Sequence, residues 1–166
     1  MAVQENGNAG DAEVQQLEPQ PVLSIRATIR IADLGPAMDD RIPALVDYLQ
    51  QSGARPAGPP YVRYHTFGDT ETDVETGIPV LEPIVGHGRI AAGELPGGPA
   101  VTTWHTGPHH KLGEAYARIS AFIKSQGHEP NGDAWEVYHW IDPSRSFETA
   151  TFDPSTWHTQ LVQPIK

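Results

Sequence analysis

Cysteine is absent from the 166 residues, so the chain has no disulfide, thiolate nucleophile or thiolate metal site, a composition that suits a cytoplasmic protein. Cations are scarce: eleven Lys and Arg stand against twenty-one Asp and Glu, for a net charge of −10. Nucleic-acid affinity draws mostly on clustered Lys and Arg set against phosphates, so direct DNA or RNA binding is not expected. No apolar run approaches the roughly 18 residues that a membrane-spanning helix needs. The opening MAVQENGNAGDAEVQQLEPQP lacks the basic and apolar regions of a secretory signal. Its Gln, Asn, Gly and Glu content predicts a disordered tail over 1–21, ahead of a domain over 22–166. That length fits one domain, or two small modules sharing a core.

What is present begins with alternation. Leu23, Ile25, Ala27, Ile29 and Ile31 interleave with Ser24, Arg26, Thr28 and Arg30, the period-2 pattern of a strand with one buried face. Met38, Ile42, Leu45 and Leu49 then recur at helical spacing, with Asp39 and Asp40 near the expected start and Gly53 at the expected C-cap. Pro43 is compatible with that helix only in its first turn. A Pro/Gly-rich connection leads to a strand, YVRYHTF, and through an acidic stretch to a short strand ending at IPV.

This pattern is repeated. At an offset of 74 residues Gly53 matches Gly127, Pro56 matches Pro130, Gly58 matches Gly132, Tyr61 matches Trp135, Tyr64 matches Tyr138 and His65 matches His139. The stripe Met38, Ile42, Leu45 and Leu49 falls on Leu112, Tyr116, Ile119 and Ile123. Strand 24–31 is matched to 99–106, and IPV to QPI if the second copy has a longer loop. The expected fold is therefore α+β: a pseudo-twofold duplication of a strand-helix-strand-strand unit, with halves over 22–82 and 86–166. GRIAAGEL is read as an extra strand. One unit has too little core to stand alone, so the two share an antiparallel sheet covered by two helices, with a central cleft between the halves.

The copies disagree where packing alone would keep them alike: Val62 becomes Glu136. On a strand Glu136, Tyr138 and Trp140 face one way, and Trp135, Val137 and His139 the other. A buried carboxylate costs several kcal/mol, roughly, unless it is paired or protonated. Two uses fit. Among aromatic faces it attracts lipophilic cations, each ring adding about 0.5 to 2 kcal/mol; with its pKa raised by burial it acts instead as a general base or acid. The plain alternative is an ion pair with Arg26, Arg30 or Arg89. Tyr64, Trp104, Tyr138 and Trp140 are the aromatic pocket candidates, with Tyr61 and Trp135 if the opposite face is used. Trp104 is chosen because the first copy has Arg30 or Ile31 there. No metal site is expected, because His105, His109 and His110 lack a carboxylate at ligand spacing. The acidic run 69–75 reads as a solvated hairpin face, and Gly97-Gly98 as a turn.

GPPYVRYH, ETGIPV, HTGPHHKLGEAYARISAFIKSQG, WEVYHWIDP and the terminal QLVQPIK, in that order, resemble the gyrase-inhibitor-like effector-binding family. The resemblance covers nearly everything after the tail. It implies a two-copy α/β domain whose cleft binds bulky, aromatic or cationic small molecules, with Glu136 as the central pocket residue and Tyr138 following it. Family members are attached to drug-sensing transcription activators or stand alone, and with no helix-turn-helix in the tail this chain resembles the stand-alone type. Some such members resemble hydrolases of cyclopropane-bearing toxins. For that activity Glu136 and Tyr138 are the catalytic candidates, so an enzyme reading stays open. Others bind gyrase. The remaining expectations are no cofactor, no membrane, and a monomer or weak dimer.

Overall fold

The alternating segment forms an eleven-residue strand, Gln20–Arg30, that pairs on both sides. The computed structural model describes residues 12–108, 111–141 and 157–166. In chain order the elements are β1 (Ala12–Leu17), β2 (Gln20–Arg30), a 3-10 turn (Ile31–Asp33), α1 (Leu34–Ser52), β3 (Tyr61–Phe67), β4 (Glu71–Pro79), β5 (Ala91–Leu95), β6 (Gly98–Thr106), α2 (Leu112–Ser125), β7 (Trp135–Tyr138) and β8 (His158–Pro164). All strands join one antiparallel sheet in the order β1-β6-β8-β7-β3-β4-β2-β5. The architecture is α+β, as the pattern predicts.

Outward from the central β3/β7 pair, one side runs β3, β4, β2 and the other β7, β8, β6. Each side thus uses a strand-helix-strand-strand segment. Local hydrogen bonds recur as well. Ala54 N–H donates to Leu49 O and His128 N–H to Ile123 O, both at 3.0 Å. Gly53 and Gly127, at φ 70° and 73°, end the two helices in the left-handed region that glycine enters without a Cβ clash. Val62 lies directly opposite Glu136, so the residue pair at which the copies differ meets in the middle of the sheet.

Three expectations are corrected. Residues 12–17, expected in the disordered tail, form β1 and pair residue for residue with β6. Their side chains give a weak pattern, and the ladder to β6 supplies backbone partners that a local reading does not reveal. Helix α1 starts at Leu34, one turn earlier than Asp39 and Asp40 suggest, because Leu34 continues the buried stripe. Pro36 is then the first-turn proline, where a missing N–H costs nothing, and Pro43 lies inside the helix. The carbonyl that Pro43 leaves unserved belongs to Asp39, an exposed residue within reach of water.

The extra turn of α1 also changes how β2 matches β6. Ile25, Thr76 and Val62 form one cross-strand row, and Thr103, Leu161 and Glu136 form its counterpart. Ile25 therefore corresponds to Thr103, 78 positions on, rather than to a residue 75 on. An odd error of three reverses every side chain between faces.

The helix face of the sheet holds most of the core: Leu23, Ile25, Val62, Val74 and Ile78 under Ile42, Leu45 and Leu49 of α1, and Val101 and Leu161 under Leu112, Ala115, Ile119 and Ile123 of α2. The other face buries Val22, Tyr61, Leu95, Ala100, Trp135 and Val162. It is covered because the sheet curls. Glu18-Pro19 joins β1 to β2, and Pro96-Gly97 joins β5 to β6, although these strands lie at opposite ends of the order. The links touch: a Cβ on Gly97 would stand 2.7 Å from Pro19 Cδ and 3.0 Å from Leu17 O. No helix among the described residues is long and apolar enough to cross a membrane.

Candidate functional site

Alternation along β7 sends Glu136 and Tyr138 to the helix face, and Trp135 and Val137 to the other. Glu136 is 4% exposed. Two hydroxyls reach its carboxylate: Tyr116, from the first half of α2, donates to Oε2 at 2.6 Å, and Tyr138 donates to Oε1 at 2.9 Å. The arginines considered as partners are engaged elsewhere, Arg26 with Asp73, Arg30 with Asp33 and Arg89 with Asp40. For these three the ion-pair alternative is thereby removed.

Burial pushes the Glu136 pKa up, and the two tyrosine hydrogen bonds pull part of the way back. Tyr116, Tyr138 and Tyr64 are pushed up as well, first by burial and then by the Glu136 charge, so their hydroxyls stay protonated. Two neutral donors thus serve one carboxylate that has no counter-charge among the described residues. A cation brought beside it gains the whole Coulomb attraction in a site where water screens little.

Two chambers lie beside these residues, and Glu136 lines the first. One, of about 380 Å³, is lined by Leu34, Tyr64, Phe67, Leu112, Tyr116 and Glu136. The second, of about 390 Å³, shares Leu34 and Tyr64 and adds Met38, Ile42, Tyr138, Trp140 and Trp157. Trp140 and Trp157 stack at 4.1 Å with planes 5° apart. Phe67, 62% exposed, stands edge-on to Tyr64 at 5.5 Å, an apolar ring held at the mouth. The cleft lies between the starts of α1 and α2, each contributing a leucine, Leu34 and Leu112.

Four of the five expected site residues gather here: Glu136, Tyr138 and Tyr64 directly, and Trp140 in the second chamber. Trp104 does not. It faces away from the helices, between the rings of His139 at 4.6 Å and His158 at 4.4 Å. Its row runs through Gln160 to Val137, the side of β7 opposite Glu136. Tyr116 was missed as a site residue, yet the repeat carried a signal: it replaces Ile42 just as Glu136 replaces Val62, so two polar groups enter one half together. Tyr116→Phe should raise the pH at which Glu136 takes up its proton, since the hydrogen bond it removes favours the charged carboxylate. NMR titration of the Glu136 carboxyl carbon in both proteins checks it.

The acidic run is not simply a solvated face. Asp73 pairs with Arg26, while Glu75 accepts from Tyr61 and meets His65 Nε2 at 2.8 Å, with Asp133 at 2.9 Å from His65 Nδ1. Among the described residues no three His, Asp or Glu side chains gather as a metal-binding group. His109 and His110 lie outside the described residues.

Residues 11–152 match the GyrI-like small molecule binding domain. The chain belongs to that family. Its fold is shared by the C-terminal domain of EcmrR, with a TM-score of 0.77, 21% identity, and coverage of 94% of this chain and 97% of that one. In the EcmrR–DNA complex the TM-score is 0.78 at 21% identity, over 94% of this chain, which spans only 57% of the EcmrR chain. A hydrolase from Listeria innocua follows at 0.64 and 15%, covering 95% of this chain and 93% of its own. SAV2435, solved bound to tetraphenylphosphonium, gives 0.56 and 12%, with 94% coverage of each chain. No curated protein matches.

Proposed function

We propose that this GyrI-like domain binds bulky, aromatic organic cations in the cleft beside Glu136, sequestering or sensing them. The observation that carries the reading is a buried carboxylate held by two neutral hydroxyls, with no cationic partner among the described residues, at the wall of an aromatic cleft. Tyr64, Phe67 and Tyr116 offer ring faces to a delocalised cation, and the adjoining chamber has room for a further ring. A protein of the same fold binds tetraphenylphosphonium, a cation of this description.

The test is a calorimetric titration of tetraphenylphosphonium against its neutral analogue triphenylphosphine oxide. Binding of the cation with no comparable binding of the neutral compound is expected. Equal affinity for both would remove Glu136's charge from the explanation. Trp104→Ala serves as a control, with affinity for the cation unchanged.

The same carboxylate supports a second reading, hydrolysis of strained cyclopropane-bearing alkylating compounds, since a buried carboxylate of raised pKa suits a general base. Here Glu136 takes a proton from water as the water oxygen bonds the ring carbon; the strained carbon–carbon bond breaks, its electron pair passes to the conjugated acceptor group of the substrate, and that group takes up a proton, so that one water is added, while Tyr138 holds the carboxylate in place. The hydrolase of similar fold favours this reading. Mass spectrometry of such a compound after incubation separates the two: a gain of one water supports turnover, and unchanged mass leaves binding alone.

A further inference from the structure

The face of the sheet that carries neither helix holds a second cleft, of about 310 Å³, where the β1–β2 and β5–β6 links close over the curled strands. Tyr61, Trp135 and Val162, all buried, form its floor, and the amides of Gln15, Gln20 and Gln160 stand among its walls. Among the described residues no Lys, Arg or His lines it, and the one carboxylate that does, Glu18, is exposed. Thr102, also in the lining, is 1% exposed, and its Oγ1 has no hydrogen-bond partner among the described residues. Buried polar atoms are nearly always paired, so this hydroxyl points to a partner beyond the described residues. Rotation about χ1 exchanges the hydroxyl and methyl of Thr102 without moving the backbone.

An aromatic floor, amide walls and no cationic group select against anions and offer a cation only a solvated carboxylate. We propose that this cleft is a second binding site, specific for uncharged aromatic amides and related neutral heterocycles. The ring packs against Trp135, whose indole is already held by the Arg63 guanidinium at 5.3 Å, while the amide bonds Thr102 Oγ1 and the side chain of Gln160. The site stands back to back with the Glu136 cleft, because Trp135 and Val137 line one and Glu136 and Tyr138 belong to the other, on a strand of four residues. It does not depend on what the Glu136 cleft binds.

The test uses benzamide, with benzoate and benzamidinium as charged counterparts of the same shape, titrated into the nitrogen-15-labelled protein and followed by amide chemical shifts. Benzamide is expected to bind saturably at about 1 mM, a range suited to so small a fragment. The shifts should centre on Gln15, Leu17, Leu95, Thr102, Trp135, Val137 and Gln160. Thr102→Val, which keeps the shape, and Gln160→Ala should each weaken binding about 3- to 10-fold, the loss of one hydrogen bond. Glu136→Gln should leave it within about twofold, well below the effect of one hydrogen bond. The proposal is overturned if benzamide does not bind, if its shifts are confined to residues of the Glu136 cleft, if benzoate binds as well as benzamide, or if neither Thr102→Val nor Gln160→Ala changes affinity. Since both variants are read in the same spectra that report folding, a misfolded variant is recognised directly, and the other then decides.

Discussion

Glu136→Gln should weaken tetraphenylphosphonium binding about 30-fold or more, because removing the charged partner of a desolvated cation costs about 2 kcal/mol or above. The substitution keeps the shape, and Gln retains a carbonyl that accepts one of the two tyrosine hydroxyls. The pH profile gives a sharper check. Burial raises the Glu136 pKa above the ordinary carboxylate value, so as pH falls through the raised value the site takes up a proton and loses its charge. Wild-type affinity for a permanent cation should then fall, with a limiting slope of about tenfold per pH unit, and Glu136→Gln should abolish that slope. A slope that persists in the variant would assign the titration to another group.

The same substitution should stabilise the empty protein. A carboxylate whose folded pKa is raised destabilises the folded state when ionised. That cost is absent below the unfolded pKa, grows as pH rises towards the folded value, and is complete above it. Glu136→Gln should therefore gain about 1–3 kcal/mol at pH above the folded value, or roughly 2–4 °C in Tm for each kcal/mol, and gain little under acid conditions. Thermal melts at two pH values measure both ends. Loss of affinity together with gain of stability is the pattern expected of a group kept for binding rather than for the fold.

Gly77→Ala should be the most damaging small substitution in the sheet. Gly77 pairs with Tyr61 across β3 and β4, and the tyrosine ring lies over it: a Cβ would stand 2.5 Å from the Tyr61 hydroxyl and 2.6 Å from two ring carbons. Tyr61 is buried and donates to Glu75, so its ring surrenders that hydrogen bond if displaced. Overpacking costs about 1–3 kcal/mol and a hydrogen bond to a charged group about 1.5–3, so a loss of about 3–5 kcal/mol is expected. In melting temperature that is about 10 °C. The double variant Gly77→Ala/Tyr61→Phe should recover little, because the clash with the ring carbons remains. Chemical denaturation of the two variants separates overpacking from hydrogen-bond loss.

Local pattern was enough for the period-2 strand at Leu23–Ile31, the two helical stripes, the glycines ending both helices, and the offset that aligns Tyr61 with Trp135. It also singled out Glu136, since a carboxylate standing where the other copy has Val62 is visible without coordinates. The positions of Trp104 and β1 were not legible in this way. Alternation fixes which side chains of one strand share a face, but the phase between β6 and β7 passes through their pairing with β8, so the contrast with Arg30 or Ile31 that singled out Trp104 could not show that it faces away from Glu136. β1 is held by a backbone ladder to a strand more than eighty residues away, which leaves little trace in its own side chains. Tyr116 was legible as a stripe residue of α2, but only helix packing brings its hydroxyl to Glu136. Periodicity and self-comparison along the chain account for the α+β class and for the one carboxylate that packing does not explain, because both are visible in local pattern. Tertiary structure alone decided that Val62 and Glu136 are cross-strand partners, that tyrosines rather than an arginine serve the carboxylate, and which aromatics share its cleft, because strand register and helix docking are set by contacts between residues far apart in sequence.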